Sequence, residues 1–126
     1  MTEFTGTLWV AGGGAIGAFC RFQISGWFAD WFGKRFPFGT LFVNVLGSFV
    51  MGLLAGAIRT GTVPLIPWHD FIGEGLLGAL TTFSTFSMDT FSAFRDGRPV
   101  KGIVNIVTNM VLCLCGTAFG FFLMLQ

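Results

Sequence analysis

Apolar residues occur along this chain in long stretches, at about residues 5–32, 39–59, 68–94 and 100–125. A helix that crosses the hydrocarbon core of a bilayer needs about 20 mostly apolar residues, and each stretch is long enough. Every join between them contains both glycine and proline, which interrupt helices: 33-GKRFPF-38, 60-TGTVPLIP-67 and 95-RDGRP-99. The pattern therefore predicts an all-α membrane protein, a single four-span domain over residues 1–126.

Composition supports this class. Apolar residues make up 53% of the chain and charged residues 10%, whereas soluble domains carry about a quarter charged residues. The net charge of +1 argues against a nucleic-acid-binding protein, which would carry a clustered basic face. An enzyme is not expected, because the lone His69 lies at a span end and no nucleophile–base pair can be argued.

Positive charges are unevenly distributed among the joins. Only Arg59 lies beside the second join, whereas five lie at or beside the first and third: Lys34, Arg35, Arg95, Arg98 and Lys101. Cytoplasmic loops carry the excess of Lys and Arg, so both termini are expected to face outward.

Several polar residues lie inside the predicted spans, where they are costly unless they face a bundle interior or a cavity. One helix face of the second span would carry Thr40, Asn44, Gly47, Ser48 and Met51, and Asn105 and Asn109 share a face of the fourth. Arg21, Glu74 and Asp89 are the ionisable members of this group. Such faces can be interhelical hydrogen-bond contacts or a polar track for a permeating species; several in one small protein favour the track.

The stretch 78-GALTTFSTFSMDTF-91 has six hydroxyl side chains and one carboxylate beside three phenylalanines. Glycine and β-branched threonines at 78–82 predict a break in the third helix, where freed backbone groups could line a cavity or bind an ion. Hydroxyls and amides donate hydrogen bonds to anions, and a phenyl ring has a positive edge. The chemistry indicates a small anion without choosing which one.

The motif 81-TTFSTFS-87, with 17-GAFCRF-22 and 39-GTLFVNVLGS-48 before it, resembles the signature of the Fluc (CrcB-type) fluoride channel family. The resemblance covers essentially the whole chain. It implies a passive fluoride-export channel in the bacterial cytoplasmic (inner) membrane that confers fluoride resistance. It also implies a dual-topology dimer of antiparallel subunits with two pores.

The resemblance further implies roles for individual residues. Phe83 and Phe86 would present ring edges to fluoride, Asn44 would be the pore-lining amide, and Arg21 would attract anions near a vestibule. Thr40, Ser84 and Thr85 would continue the polar track, with Asn109 and Asp89 as its remaining members. Backbone carbonyls of Gly78 and Thr81 would hold a structural Na⁺ at the dimer centre.

This sequence departs from the family pattern at Asp89, where glutamate is usual, at Ala79, where glycine is common, and at Asn109, a serine position. The charge bias is the larger departure, since a subunit that inserts in both orientations should show little of it. A homodimer is favoured, with a heterodimer as the alternative.

Two other functions stay open. A small multidrug-resistance-type exporter would need a carboxylate in the first span, where this chain has Arg21. A non-transporting assembly subunit would tolerate changes at the predicted pore without any effect on flux.

Overall fold

The computed structural model describes residues 3–126, and these residues form helices and joins with no β-strand, as the fold class predicted. The helices are α1 (Glu3–Phe32), α2 (Phe38–Arg59), a π-helical segment (His69–Leu77), α3 (Gly78–Leu80), α4 (Phe83–Arg95) and α5 (Pro99–Leu125). The third predicted span is thus made of three consecutive helical pieces. By length and apolar composition, α2 and α5 qualify as membrane spans.

Large hydrophobic side chains cover much of the surface of this subunit. Phe22, Phe4 and Val100 are 78%, 72% and 72% exposed, and many other large hydrophobic side chains are also exposed. Contiguous apolar surface of this kind marks a site of contact with lipid or protein. The surface therefore suits a chain surrounded by lipid and partner subunits rather than water.

Glycines set the distance between the helix backbones. A Cβ atom at Gly13 or Gly17 of α1 would overlap the carbonyl oxygen of Phe71 or Leu76 in the π-helical segment. In the α2–α5 contact, a Cβ atom at Gly52 would overlap Thr117 O. These glycines therefore allow close backbone packing between helices, as is typical in membranes.

The third span is interrupted at Thr81 and Thr82, inside the predicted window of 78–82. Thr81 has φ −81° and ψ 158°, and Thr82 has φ −149° and ψ 122°, both extended. Gly78 keeps helical angles, φ −61° and ψ −36°, so the extended residues are the β-branched threonines and not the glycine. A small buried cluster lies beside this break and is formed by Val43 of α2, Leu77 of the π-helical segment and Leu80 of α3.

Candidate functional site

The side chain of Asn44, on α2, pairs with the backbone of Thr82 at the break. Asn44 Oδ1 accepts a hydrogen bond from Thr82 N at 2.8 Å, and Asn44 Nδ2 donates to Thr82 O at 3.1 Å. An extended residue needs one acceptor and one donor from a neighbour, and the amide supplies both. One turn along α2, Gly47 has no side chain, and the Thr81 methyl group occupies the place a Cβ would take.

Thr82 also begins the next helix. Its hydroxyl accepts a hydrogen bond from Thr85 N at 3.0 Å, the geometry of an N-cap, and lies 3.3 Å from Ser84 Oγ. In an unbroken helix, Thr85 N would donate to Thr81 O and Thr82 N to Gly78 O. Both carbonyls therefore lose their helical donors at the break.

A chain of amides continues from Asn44 into α5. Asn44 Nδ2 donates to Asn109 Oδ1 at 3.2 Å, and Asn109 Nδ2 donates to Asn105 Oδ1 at 3.0 Å and to Asn105 O at 2.9 Å. Asn105 Nδ2 donates to Thr90 Oγ1 at 2.9 Å, and Thr90 Oγ1 donates to Phe86 O at 2.8 Å. The network connects Thr82, at the break, to Thr90 and Phe86 on the first two turns of α4. It therefore fixes α4 to α2 and α5.

Phe83 and Phe86 lie on the first turn of α4 with ring centroids 5.5 Å apart and planes inclined by 53°. They border the phenylalanine groove, an open cavity of about 240 Å³. It is lined by Asn44, Ser48, Thr81, Thr82, Phe83, Phe86, Asn109, Met110 and Cys113. The Phe83 side chain is 77% exposed, so in the single subunit one wall of this groove is open.

A second cavity, the arginine cavity, lies on the other side of Thr82. Its volume is about 770 Å³, and Arg21, Thr40, Thr82 and Thr85 are among its lining residues. Thr40 and Thr85 also border an adjoining cavity of about 320 Å³ that contains Asp89, Lys34 and Lys101. Polar groups therefore line two neighbouring cavities that share Thr40 and Thr85, one bordered by Lys34 of the first join and the other by Thr82 at the break.

Thr40 and Asp89 face each other across these cavities. Thr40 Oγ1 donates to Asp89 Oδ2 at 3.4 Å, a long contact. A glutamate at this position would have a side chain one methylene longer than that of Asp89.

The structure thus sorts the predicted pathway residues into two groups that meet at the break. Asn44, Phe83, Phe86 and Asn109 line the phenylalanine groove, whereas Arg21, Thr40, Thr85 and Asp89 line the cavities beyond it. Ser84 is exposed beside Thr82. Gly78 and Thr81 border a further cavity of about 240 Å³ with Gly47 and Ser48.

Two residues of the site, Thr82 and Thr90, were not predicted from the sequence. Thr82 borders both the groove and the arginine cavity and makes most of the hydrogen bonds at the break. Thr90 joins Asn105 to α4. A threonine directly before a new helical pattern is an N-cap signal, and it was available for Thr82; nothing local distinguishes Thr90 from other helix threonines.

Comparison with known proteins gives one consistent result. Residues 8–121 match the family described as "CrcB-like protein, Camphor Resistance (CrcB)". A protein of Vibrio parahaemolyticus named "Fluoride-specific ion channel FluC" is 45% identical over 126 residues, covering 100% of this chain and 99% of the relative. A protein of the same name from Shewanella amazonensis is 49% identical over 113 residues, covering 90% of each chain.

Proposed function

Because this chain belongs to the CrcB-like protein family, we propose that it is a fluoride channel that lets F⁻ leave the cell passively. The observation that carries the proposal is full-length similarity to relatives named fluoride-specific ion channels, 45% identical over 126 residues in one case. The family resemblance stated from the motif TTFSTFS is confirmed by this match. Ion conduction, not catalysis, is the activity proposed.

The chain is an integral membrane protein, as its family and its long apolar helices α2 and α5 indicate. We propose that α1 and the broken third span also cross the bilayer, which gives four spans. The proposed location is the bacterial cytoplasmic (inner) membrane, where passive exit of F⁻ would protect the cell from fluoride.

The proposed pathway runs through the phenylalanine groove and the arginine cavity. Ring edges of Phe83 and Phe86 carry partial positive charge and would attract a small anion without trapping it, whereas a fixed cation would hold it. Hydroxyls of Thr40, Ser84 and Thr85 would replace part of the hydration shell. Arg21, at the wall of the larger cavity, would raise the local anion concentration.

A second subunit is part of the proposal. The phenylalanine groove is open on one side and the Phe83 ring is largely exposed, so a partner would supply the missing wall. We propose an antiparallel, dual-topology dimer with two pathways, a homodimer in preference to a heterodimer. Lys34 and Lys101, two of the five positive charges at or beside the first and third joins, border one cavity. The uneven distribution of these charges along the chain is the argument for the heterodimer.

Gly78 and Thr81 fit the proposed structural Na⁺. Their carbonyl oxygens lose the helical donors Thr82 N and Thr85 N, which bond to side chains instead. Carbonyl oxygens freed in a membrane need a partner, and oxygen is the donor that hard cations prefer. Two antiparallel breaks would offer four such oxygens.

The test is fluoride efflux from liposomes that contain only the purified protein, with chloride efflux run in parallel. Phe83→Ile and Phe86→Ile should abolish fluoride efflux, while Phe91→Ile, the same change on an exposed ring further along α4, should leave it unchanged. Chloride should not pass in any variant.

Absence of efflux from a folded dimer would reject a self-sufficient homodimeric channel. Adding a second, oppositely oriented subunit would then separate a heterodimer from a non-transporting protein. Equal loss in all three phenylalanine variants would reject the specific roles of Phe83 and Phe86.

A further inference from the structure

We infer that Asn44 is a positioning residue that holds the third span open at Thr81 and Thr82. The inference concerns the backbone of the break and stands on contacts within one subunit. Only its consequence for ion binding rests on the proposed function.

First, at the break, Thr82 N donates to a side chain instead of the backbone oxygen that a helix would provide. Thr82 N would donate to Gly78 O in a continuous helix, and here it donates to Asn44 Oδ1 at 2.8 Å. Thr82 is only 8% exposed, so water is not available as a hydrogen-bond acceptor for its N–H. A buried N–H must have a partner, so the choice lies between Asn44, which requires the extended backbone, and Gly78 O, which requires the helix.

The second step is the orientation of the Asn44 amide. Asn105 O can only accept, so the Asn109 NH₂ group must face it at 2.9 Å, which leaves Asn109 Oδ1 toward Asn44. Asn44 must then present its NH₂ to Asn109, and its Oδ1 meets Thr82 N, a group that can only donate. Both ends of the network require the same orientation of the Asn44 amide, in which Asn44 Oδ1 faces Thr82 N.

The third step is the effect on Asn44 as a pore residue. Both hydrogens of Asn44 Nδ2 have acceptors, Thr82 O at 3.1 Å and Asn109 Oδ1 at 3.2 Å. Asn44 borders the phenylalanine groove, yet its donors are directed at the protein. Through these bonds Asn44 contributes to the shape of the groove and to the release of Gly78 O.

The decisive measurement is the backbone conformation of Thr82 in the full-length protein reconstituted in lipid. Solid-state NMR ¹³Cα and ¹³Cβ shifts of Thr81 and Thr82 separate extended from helical backbone. In Asn44→Leu the Thr82 shifts should move to helical values, because the N–H returns to Gly78 O. Asn44→Asp keeps the acceptor for Thr82 N but loses the donors to Thr82 O and Asn109 Oδ1. The Thr82 shifts should stay extended there, because the Thr82 N–H keeps its partner. Ser48→Ala, one turn further on α2 in the same groove, is the matched control and should also stay extended.

Extended Thr82 shifts in Asn44→Leu would overturn the inference. If that variant does not fold, Asn44→Asp decides: helical Thr82 shifts there would overturn it, and extended shifts would support it. These outcomes do not depend on fluoride flux, so failure of the proposed function and failure of this inference are distinguishable.

A second measurement tests whether the freed carbonyl oxygen of Gly78 binds sodium. The sodium concentration that gives half-maximal thermal stabilisation should rise roughly tenfold or more in Asn44→Leu, about the effect of one lost hydrogen bond. It should be unchanged in Phe83→Ile, although that variant loses flux. An unchanged sodium dependence in Asn44→Leu, beside a parent protein that sodium does stabilise, would contradict the link from Asn44 to Gly78 O.

Discussion

Asn105 and Thr90 join α5 to α4 through a partly buried hydrogen bond, in which Asn105 Nδ2 donates to Thr90 Oγ1 at 2.9 Å. Asn105 is 1% exposed, the most buried polar side chain among residues 3–126. The Thr90 hydroxyl in turn donates a hydrogen bond to Phe86 O at 2.8 Å. The helix turn that carries Phe86 is therefore fixed by an amide one helix away.

Asn105→Leu should lower the free energy of unfolding by about 1–3 kcal/mol, because buried partners lose their hydrogen bonds. Thermal unfolding in detergent would measure the change. Thr108→Val is the matched control on the same helix: its hydroxyl bonds only to backbone oxygens of α5, so stability should change little. Equal effects of the two variants would show that the link to Thr90 is not stabilising.

Gly17→Ala should be among the most damaging small substitutions in the chain. A Cβ there would overlap Leu76 O of the π-helical segment, and backbone cannot move aside cheaply. The expected loss is about 1–3 kcal/mol, typical of overpacking. Gly26→Ala, on the same helix with nothing within 4 Å of the added atom, should instead gain up to about 1 kcal/mol from helix propensity. Unfolding midpoints of both variants would test the contrast, and a stable Gly17→Ala would contradict the α1 packing described here.

Thr82→Val should weaken the start of α4 while Thr82→Ser preserves it. The hydroxyl caps Thr85 N at 3.0 Å, and loss of such a cap costs about 1 kcal/mol. Valine keeps the shape and the β-branch, so the difference between Thr82→Val and the parent protein isolates the oxygen, and Thr82→Ser shows whether a hydroxyl without the methyl group is enough. Differential stability by thermal unfolding is the measurement; a Thr82→Ser protein as unstable as Thr82→Val would argue against the cap.

Arg21→Gln should reduce fluoride flux in a manner that depends on ionic strength. Arg21 is the one positively charged side chain among the residues that line the arginine cavity, and it would raise the local concentration of anions there against the opposing charge of Asp30, which also lines the cavity. The Debye length falls from about 30 Å at 0.01 M to about 3 Å at 1 M salt, so the deficit should shrink as salt rises. Arg21→Lys keeps the charge and serves as the control. A deficit that is independent of salt would assign Arg21 a structural role instead.

Much of the architecture could be predicted from the pattern of residues. Helix ends lie close to the expected boundaries of 32, 59 and 125, because long apolar runs bounded by glycine and proline leave few alternatives. The close backbone contacts at Gly13 and Gly17 also follow from local spacing. The π-helical segment was not predicted, since no local composition distinguishes a π-helix from an α-helix.

The candidate site was predicted only in part. The signature around Phe83 and Phe86 located it, and the spacing of Asn105 and Asn109 put both amides on one face, where they do bond to each other. The same reasoning placed the break within 78–82 on a glycine and β-branched threonines; in the structure the threonines Thr81 and Thr82 are extended, whereas Gly78 stays helical. The family resemblance implied that Asn44 is a pore-lining amide, and its hydrogen bonds to Thr82 and Asn109 were not predicted.

The sequence by itself determined the membrane class, the helices and the identity of the family, because periodicity and motifs are local properties of the chain. Only the tertiary structure decided how the break is made. Asn44 and Thr82 are 38 positions apart, and their hydrogen bonds exist only because α2 packs beside the third span. Which acceptor receives a buried N–H depends on three-dimensional proximity, and no pattern along one helix contains that information.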